Sequence, residues 1–453
     1  MAANDFSQGK VWKRIMAQAV PLTLAEIVHL LYNVVDRVYI GHLPDTDSMA
    51  LTGVGLIFPI VSLIGAFTSL LGTGGAPLFA IARGAGQEEK ASRIQNNVFI
   101  LLVYTSLALT ALCYIFRRPV LYLFGASPAS YPYADAYLAI YLLGTPFTML
   151  ATGMNGFINA QGFPRVGMLT TMLGAALNLA LDPLFIFTLG LGVRGAAIAT
   201  VISQAVSCLW VLIFLCGRRA LIPLRRAHMR IRKKLVGSIL SLGVVGFIMK
   251  GTNSLVQIVC NATLQRYGGD LYVGVMTVLN SVRDILFLPV SGIASGAQPV
   301  IGFNYGARQY DRVRQGIRFM TAACFLYTTV SWLAVLLFPG FFVGIFSSDA
   351  ALMQAGPAAL NLYFFGFFFM GFQSSGQSAF QALGDARHAI FFSLFRKVII
   401  VVPLTLLLPA LGMGVDGVFM AEPVSNLVGG LACFITMMLT VYRRMGQEQP
   451  AGQ

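Results

Sequence analysis

Glu26, His29, Asn33 and Asp36 stand at intervals of three, four and three residues in a mostly apolar segment. On a helix that spacing puts all four on one stripe. In a membrane such a stripe must face protein or water, because lipid offers polar groups no partner. Its plainest use is a helix–helix hydrogen-bond seam, with Arg37 as the outer-interface anchor. Further along, Asn178 and Asp182 stand at i and i+4 and point the same way, with Pro183 directly after them. Pro183 lacks an amide hydrogen and crowds the carbonyl of Leu179, which is thereby loosened. Thr200, Ser203, Gln204 and Ser207 run along one face of the next segment. An acid, an amide, hydroxyls and a loosened carbonyl together offer oxygens to a small hard cation. If the three segments meet, Asp36, Asn178, Asp182 and Thr200 form one oxygen-rich pocket, a sodium site if sodium is the ion. Two carboxylates close together at low dielectric do not both stay ionised without a proton or a metal ion. That is what a coupling site requires, and Glu26, His29, Asn33, Ser203 and Gln204 are the candidates around it.

The elements that must position these residues are membrane helices. The chain is 57% apolar and 11% charged, against roughly a quarter charged for a soluble domain. A span needs about 20 mostly apolar residues. Such stretches are expected near 15–40, 51–82, 95–116, 134–158, 167–189, 195–216, 235–263, 272–302, 318–338, 357–382, 389–411 and 415–441. The fold class predicted is an all-α membrane protein of about twelve transmembrane helices. Lys10, Lys13 and Arg14 precede a first apolar run too long for a signal-peptide core, so that run reads as a retained helix. The net charge of +14 is concentrated on the even-numbered connections and the tails. The odd-numbered ones carry Arg37, Arg117, Arg118, Arg194 and Arg266. This is the positive-inside pattern, and it predicts cytoplasmic N- and C-termini. The run Arg218, Arg219, Arg225, Arg226, Arg230, Arg232, Lys233 and Lys234 is read as a central cytoplasmic loop. It serves topology and lipid headgroups rather than nucleic acid. Cys113, Cys208, Cys216, Cys260, Cys324 and Cys433 form no CxxC pair, so neither a disulfide framework nor a metal site is indicated.

Sliding the chain on itself by 222 residues (299 − 77) aligns Pro77-LFAIAR-Gly84 with Pro299-VIGFNY-Gly306. At the same offset Asn159-AQ-Gly162-FP-Arg165 meets Gln381-AL-Gly384-DA-Arg387, and GLGVRG from Gly190 meets GMGVDG from Gly412. Six helices per copy make the repeat parallel. Transporters of that design bind substrate between the halves and rock one against the other. The predicted division is a first six-helix lobe over 1–218, a basic linker over 219–234 and a second lobe over 235–453. Gly190-x-Gly192-x-x-Gly195 fits the dinucleotide fingerprint, but the soluble βαβ context that it needs is missing. Its recurrence at Gly412, Gly414 and Gly417 reads as a tight interhelical turn.

The second copy departs from the first where the acids stand. Asn178 and Asp182 become Ile400 and Leu404, and Thr200 becomes Glu422. An ionisable group at the centre of a membrane helix costs about 2.5–3.5 kcal/mol on insertion scales. Lys250, Arg283, Asp284 and Glu422 are therefore expected to face protein or substrate, with Asn253, Gln257, Asn261, Asn280, Gln298, Gln373 and Gln377. Arg283 and Asp284, being adjacent, are expected to take separate partners, and Lys250 to pair with Asp284 or Glu422. Arg396 and Lys397 are expected to snorkel toward the cytoplasmic face. The rings of Tyr363–Phe372 offer a lining for a cavity that takes flat organic molecules, but most of them are expected to pack against lipid.

LYNVVDRVYIGHLP around Asp36, ALNLALDPLFIF around Asp182 and GVRGAAIATVISQ around Thr200 resemble the multidrug and toxic compound extrusion (MATE) family. GAQPVIGFNYGARQYDRV at 296–313 and SLFRKVIIVVPLTLLLP at 393–409 resemble its second lobe, so the likeness spans nearly the whole chain. The pairing of Asp36 with Arg37 is most similar to the MepA-like bacterial branch. The resemblance implies a transporter of the bacterial inner membrane, not an enzyme. It would export small organic cations or drugs by antiport against inward sodium ions or protons, with no cofactor, and work as a monomer in the lipid bilayer. In relatives with a first-lobe ion site the matching positions are Asp36, Asn178, Asp182 and Thr200; the acids that other branches carry on helices 7 and 10 are missing here. One alternative is a lipid-linked oligosaccharide flippase, which demands a strongly cationic cavity; Lys250 and Arg283 are the obvious candidates for one. A distant alternative is a membrane acyltransferase, resting only on His42 and Asp47. A passive channel fits poorly with two lobes and one acidic pocket.

Overall fold

The structure is a computed structural model that describes residues 4–41, 53–347, 349–443 and 445. Those residues are overwhelmingly helical and include no strand. Intrahelical bonding satisfies every segment's own backbone, which a lipid environment demands. The long helices are α1 (Val11–Gly41), α2 (Phe58–Gly84), α3 (Glu88–Ile115), α4 (Tyr131–Ala160), α5 (Pro164–Pro183) and α6 (Gly192–Cys216). They continue with α7 (Lys233–Gly306), α8 (Tyr310–Leu337), α9 (Ala350–Tyr363), α10 (Phe369–Ala382), α11 (Ala386–Leu394) and α12 (Gly414–Met437). Nine helical runs among the described residues are long and apolar enough to cross a membrane. Two are broken internally: α7 at Gly269 (φ 67°, ψ −166°), and the run from Ala386 to Tyr442 at Gly412 (φ 100°). The gap expected between spans at 264–271 is thus helical up to a single residue of reversed φ.

The chain divides into two compact units. One comprises Met1–Asp5 and Leu24–Gly243, the other Phe6–Thr23 and Val244–Gln453, so the division falls within α1. In the first unit α4 is the central helix, packed on α2, α3, α5 and α6. Phe79 and Phe157 meet edge to face at 5.4 Å among fully buried Val98, Leu102, Met154 and Ile158. A row of amides on α3 holds the basic loop that follows α6. Asn96 Oδ1 accepts from the Arg225 amide at 3.2 Å, and Asn97 Oδ1 from the Arg232 amide at 3.0 Å. Gln161 pairs with both the N–H and the C=O of Ile222, and Gln95 adds a bond to the same carbonyl. Apart from His228, whose ring meets Ser92 Oγ at 2.8 Å, the loop is gripped by its backbone, which leaves Arg225, Arg226, Arg230 and Arg232 exposed. In the second unit the N-terminal segment is pinned in a similar way. Arg312 donates to the carbonyls of Phe6 (2.9 Å) and Gly9 (2.8 Å), and the Phe6 ring is fully buried against Phe303.

The same backbone turns occur 222 residues apart. Positive φ is found at Gly86 and Arg308, Gly162 and Gly384, Gly190 and Gly412, and Gly192 and Gly414. The Gln87 amide reaches the Ala82 carbonyl at 2.9 Å, as the Gln309 amide reaches that of Asn304 at 2.9 Å. These six-to-one bonds close helices in the Schellman manner. In GLGVRG the first two glycines supply the reversed turn and the third supplies closeness. A Cβ on Gly195 would lie 2.6 Å from the Phe185 carbonyl oxygen, and one on Gly417 would lie 2.7 Å from the Pro409 nitrogen. Backbone cannot yield as a flexible side chain would. Gly195→Ala is therefore expected to destabilise by about 1–3 kcal/mol, read as a lower melting temperature of the detergent-solubilised protein. Gly190→Ala, with its Cβ in open space, should show the cost of the turn alone.

Candidate functional site

Asn178 and Asp182 lie on the last turns of α5, and each is 1% exposed. After Pro183 the helix widens into a π turn over Leu184–Thr188, the local consequence of a residue that can neither donate nor fit the regular ladder. The Asn178 amide donates to Asp182 Oδ1 at 3.1 Å and to Thr200 Oγ1 of α6 at 3.4 Å. Thr200 spends its own hydrogen on the Ala196 carbonyl at 2.9 Å, so its lone pairs are turned to Asn178. Asn178 Oδ1 and Ser203 Oγ are buried without a hydrogen-bond partner among the described residues. Asp182, Asn178 and Thr200 thus bring one carboxylate, one amide and one hydroxyl together, all three buried. Hard cations prefer such sets, and a buried carboxylate is strongly driven to acquire a proton or a counter-ion. Gln204, one position past Ser203, instead lies beside Tyr141 and Gly144 of α4. Ser207 bonds the Thr170 carbonyl at 3.1 Å and belongs to the α5–α6 seam.

Of the α1 stripe, Glu26 is half-buried and His29 exposed, with its ring 5.8 Å from that of Tyr32. The side chains of Asn33, Asp36 and Arg37 lie outside the described residues, as do His42 and Asp47.

The second unit carries a separate polar cluster around a cavity of about 210 Å³. Its lining includes Asn253, Gln257, Asn280, Arg283, Asp284, Tyr363, Lys397 and Glu422. Four expectations are corrected here. Arg396 and Lys397 do not snorkel: both are buried and turn to Glu422 Oε1, at 3.0 Å and 3.5 Å. A carboxylate on the neighbouring helix outweighs a distant interface. Arg283 and Asp284 do pair with each other, at 3.1 Å, because the long guanidinium stem curls back across its own helix. Arg283 also donates to the Tyr363 hydroxyl at 2.7 Å, and that hydroxyl donates to Asn280 Oδ1 at 3.3 Å. The ion pairs of Glu422 and Asp284 run to these arginines and Lys397 rather than to Lys250. Most rings of Tyr363–Phe372 do not face lipid. The helix breaks between Tyr363 and Phe369, and Tyr363, Phe364 and Phe367 turn inward while Phe365 stays exposed. Phe372 packs on Phe325 at 4.8 Å and on Phe434 at 4.7 Å. Gln373 donates to Gln377, which bonds the Ala389 carbonyl; Gln298 bonds Ser378 and Gln381. These amides are seams rather than cavity walls. Arg396 and Lys397, missed as members of the cluster, had one available signal: two adjacent cations in a largely apolar run.

The length and apolar character of these helical runs, among the described residues, define a multi-pass membrane protein. The sequence model of the MatE family matches residues 21–184 and 247–407, and the chain belongs to that family; it is a transporter, not an enzyme. Among curated proteins it is similar to the multidrug export protein MepA of Staphylococcus haemolyticus (strain JCSC1435). The identity is 25% over 443 residues, covering 96% of this chain and 94% of that one. MepA of Staphylococcus aureus (strain NCTC 8325 / PS 47) is likewise 25% identical, covering 96% and 95%. Among solved structures it resembles a multidrug resistance MATE family transporter of the MOP superfamily in an outward-facing conformation. That match has a TM-score of 0.91 at 23% identity, covering 99% of this chain and 98% of the other. A MATE in complex with MaD3S gives a TM-score of 0.91 at 23% identity, covering 99% of each chain. At that identity the structures speak for the fold alone.

Proposed function

We propose that the chain is a secondary active antiporter that exports organic cations or drugs, driven by inward flow of sodium ions or protons. The observation that carries this reading is the buried Asn178–Asp182–Thr200 constellation in the first unit. With Asp182 and Asp36 ionised, the first lobe attracts an organic cation. An ion arriving from outside neutralises the carboxylates, weakens that attraction and releases the drug. The difference in ion affinity between two states supplies the bias that coupling needs. Twelve spans in two parallel six-helix lobes form the scaffold for alternating access. The breaks at Gly269 and Gly412 and the turns repeated at an offset of 222 support that architecture. Orientation follows the charge asymmetry: both termini on the cytoplasmic side of a bacterial inner membrane, with the monomer as the working unit.

The test is uphill efflux of a fluorescent organic cation from proteoliposomes, with a sodium gradient and a proton gradient imposed separately. Accumulation against the drug gradient under one of them, collapsing with the matching ionophore, is the expected result. Efflux that merely follows the drug's own gradient under both would overturn antiport.

A further inference from the structure

We propose that the cavity of the second unit binds an anionic group, a carboxylate or a phosphate carried by a small organic molecule, between Arg283 and Lys397. The charge balance points that way. Arg283, Lys397, Asp284 and Glu422 line the cavity, and Arg396 stands behind Glu422 as a third basic group, so three basic side chains share two carboxylates. Glu422 is the shared counter-ion of Arg396 and Lys397 and also feels Arg283. A cation bound at Glu422 would therefore meet three positive side chains, whereas an anion would relieve the excess. A cation without its own carboxylate is costly in a low-dielectric interior, so the cluster favours an anionic partner.

Hydrogen-bonding capacity agrees. The Lys397 ammonium is 3.5 Å from Glu422 Oε1, beyond the usual 2.7–3.2 Å or so of an N–H···O bond. It keeps at least two of its three donors for another acceptor. Arg283 uses Nε and Nη2 on Asp284 and Nη1 on Tyr363, which leaves two of its five N–H groups. Asn280 accepts from Tyr363 through Oδ1, so its amide hydrogens remain. Asn253 and Gln257 add amides from an exposed face of the same lining. N–H groups of Lys397, Arg283 and Asn280 not used in those bonds thus line one space, as an oxyanion needs. At about 210 Å³ the cavity is smaller than the roughly 300–1,000 Å³ of a whole drug site. It takes the charged end of a molecule rather than all of it.

Asn253→Cys places a thiol at the cavity wall. Purified protein carrying it is labelled with two methanethiosulfonates of similar size, sulfonatoethyl (anionic) and trimethylammonioethyl (cationic), and mass spectrometry follows the modification at residue 253. The anionic-to-cationic rate ratio is divided by the ratio for free 2-mercaptoethanol, which removes intrinsic reactivity. A normalised ratio on the order of tenfold above one is expected from one excess charge at short range, falling toward one in Lys397→Gln. Benzoate or phenyl phosphate should protect the thiol, and whichever protects at lower concentration distinguishes a carboxylate from a phosphate ligand. A normalised ratio of one or less, or protection by benzylamine alone, overturns the proposal. The ratio in Asn253→Cys alone decides, so a misfolded Lys397→Gln changes nothing. No ion gradient enters, and the outcome is independent of the antiport reading.

Discussion

Asp182→Asn is expected to abolish ion-driven uphill export while leaving the protein folded. The amide is isosteric with the carboxylate, and its oxygen can still accept from Asn178 Nδ2, now 3.1 Å from Asp182 Oδ1. What disappears is the charge. An amide neither takes up a proton near neutral pH nor balances a bound cation, so the ion no longer distinguishes two states of the protein. A ligand with equal affinity for both states shifts nothing. The accumulated drug gradient in proteoliposomes should fall at least tenfold or so, toward passive equilibration, while drug exchange without an ion gradient persists. Stability should move the other way. A carboxylate that is 1% exposed is costly in a dry site, and its neutral isostere is neutral or stabilising there. An unchanged or higher melting temperature together with lost coupling is the expected pair of results. Full uphill transport in Asp182→Asn would remove Asp182 from the mechanism.

Glu422→Gln is expected to have the largest effect on stability. Glu422 Oε1 serves Arg396 and Lys397 at once, and all three side chains are under 10% exposed. Removing the carboxylate leaves two buried cations side by side. Breaking a buried pair from one end typically costs about 3–5 kcal/mol, because the remaining charge keeps its desolvation penalty. The solubilised protein should aggregate or melt many degrees lower. Glu422→Gln combined with Lys397→Met should recover part of that loss, since Asn426 still accepts from Arg396 and only one cation is left without a carboxylate. Additivity of the two substitutions, with no recovery, would show that the three groups are not one electrostatic unit.

The two polar clusters were unequally legible in the sequence. Asn178 and Asp182 share a helix at i and i+4, and Thr200 follows after a six-residue glycine turn, so spacing alone brings the three within reach. Glu422 and Lys397 are 25 positions apart (422 − 397) on different helices. No periodicity states which face of one meets which face of the other, and a lysine in an apolar run reads as a snorkelling residue until its carboxylate is located. Arg283 and Asp284 misled for a related reason. Helical geometry separates the Cβ atoms of neighbours, but the reach of a guanidinium is set by its stem. The aromatic run failed because its helix breaks between Tyr363 and Phe369, where composition alone promised a continuous lipid-facing surface. Reversed φ at Gly190, Gly192, Gly412 and Gly414 was foreshadowed by the glycines themselves. Reversed φ at Arg308 was visible only through its alignment with Gly86.

The amides on α3 and just past the end of α4 that grip the basic loop give this protein a division of evolutionary labour. Asn96, Asn97, Gln95 and Gln161 read only main-chain N–H and C=O groups at residues 222, 225, 230 and 232. Every peptide offers those groups whatever its side chain, except at proline nitrogen. Selection can therefore rewrite the loop's outward-facing residues, tuning its charge to a different membrane or partner, without disturbing the path the chain takes. The four gripping residues have no such freedom. Drift should accumulate on the held strand and stop at the hand that holds it.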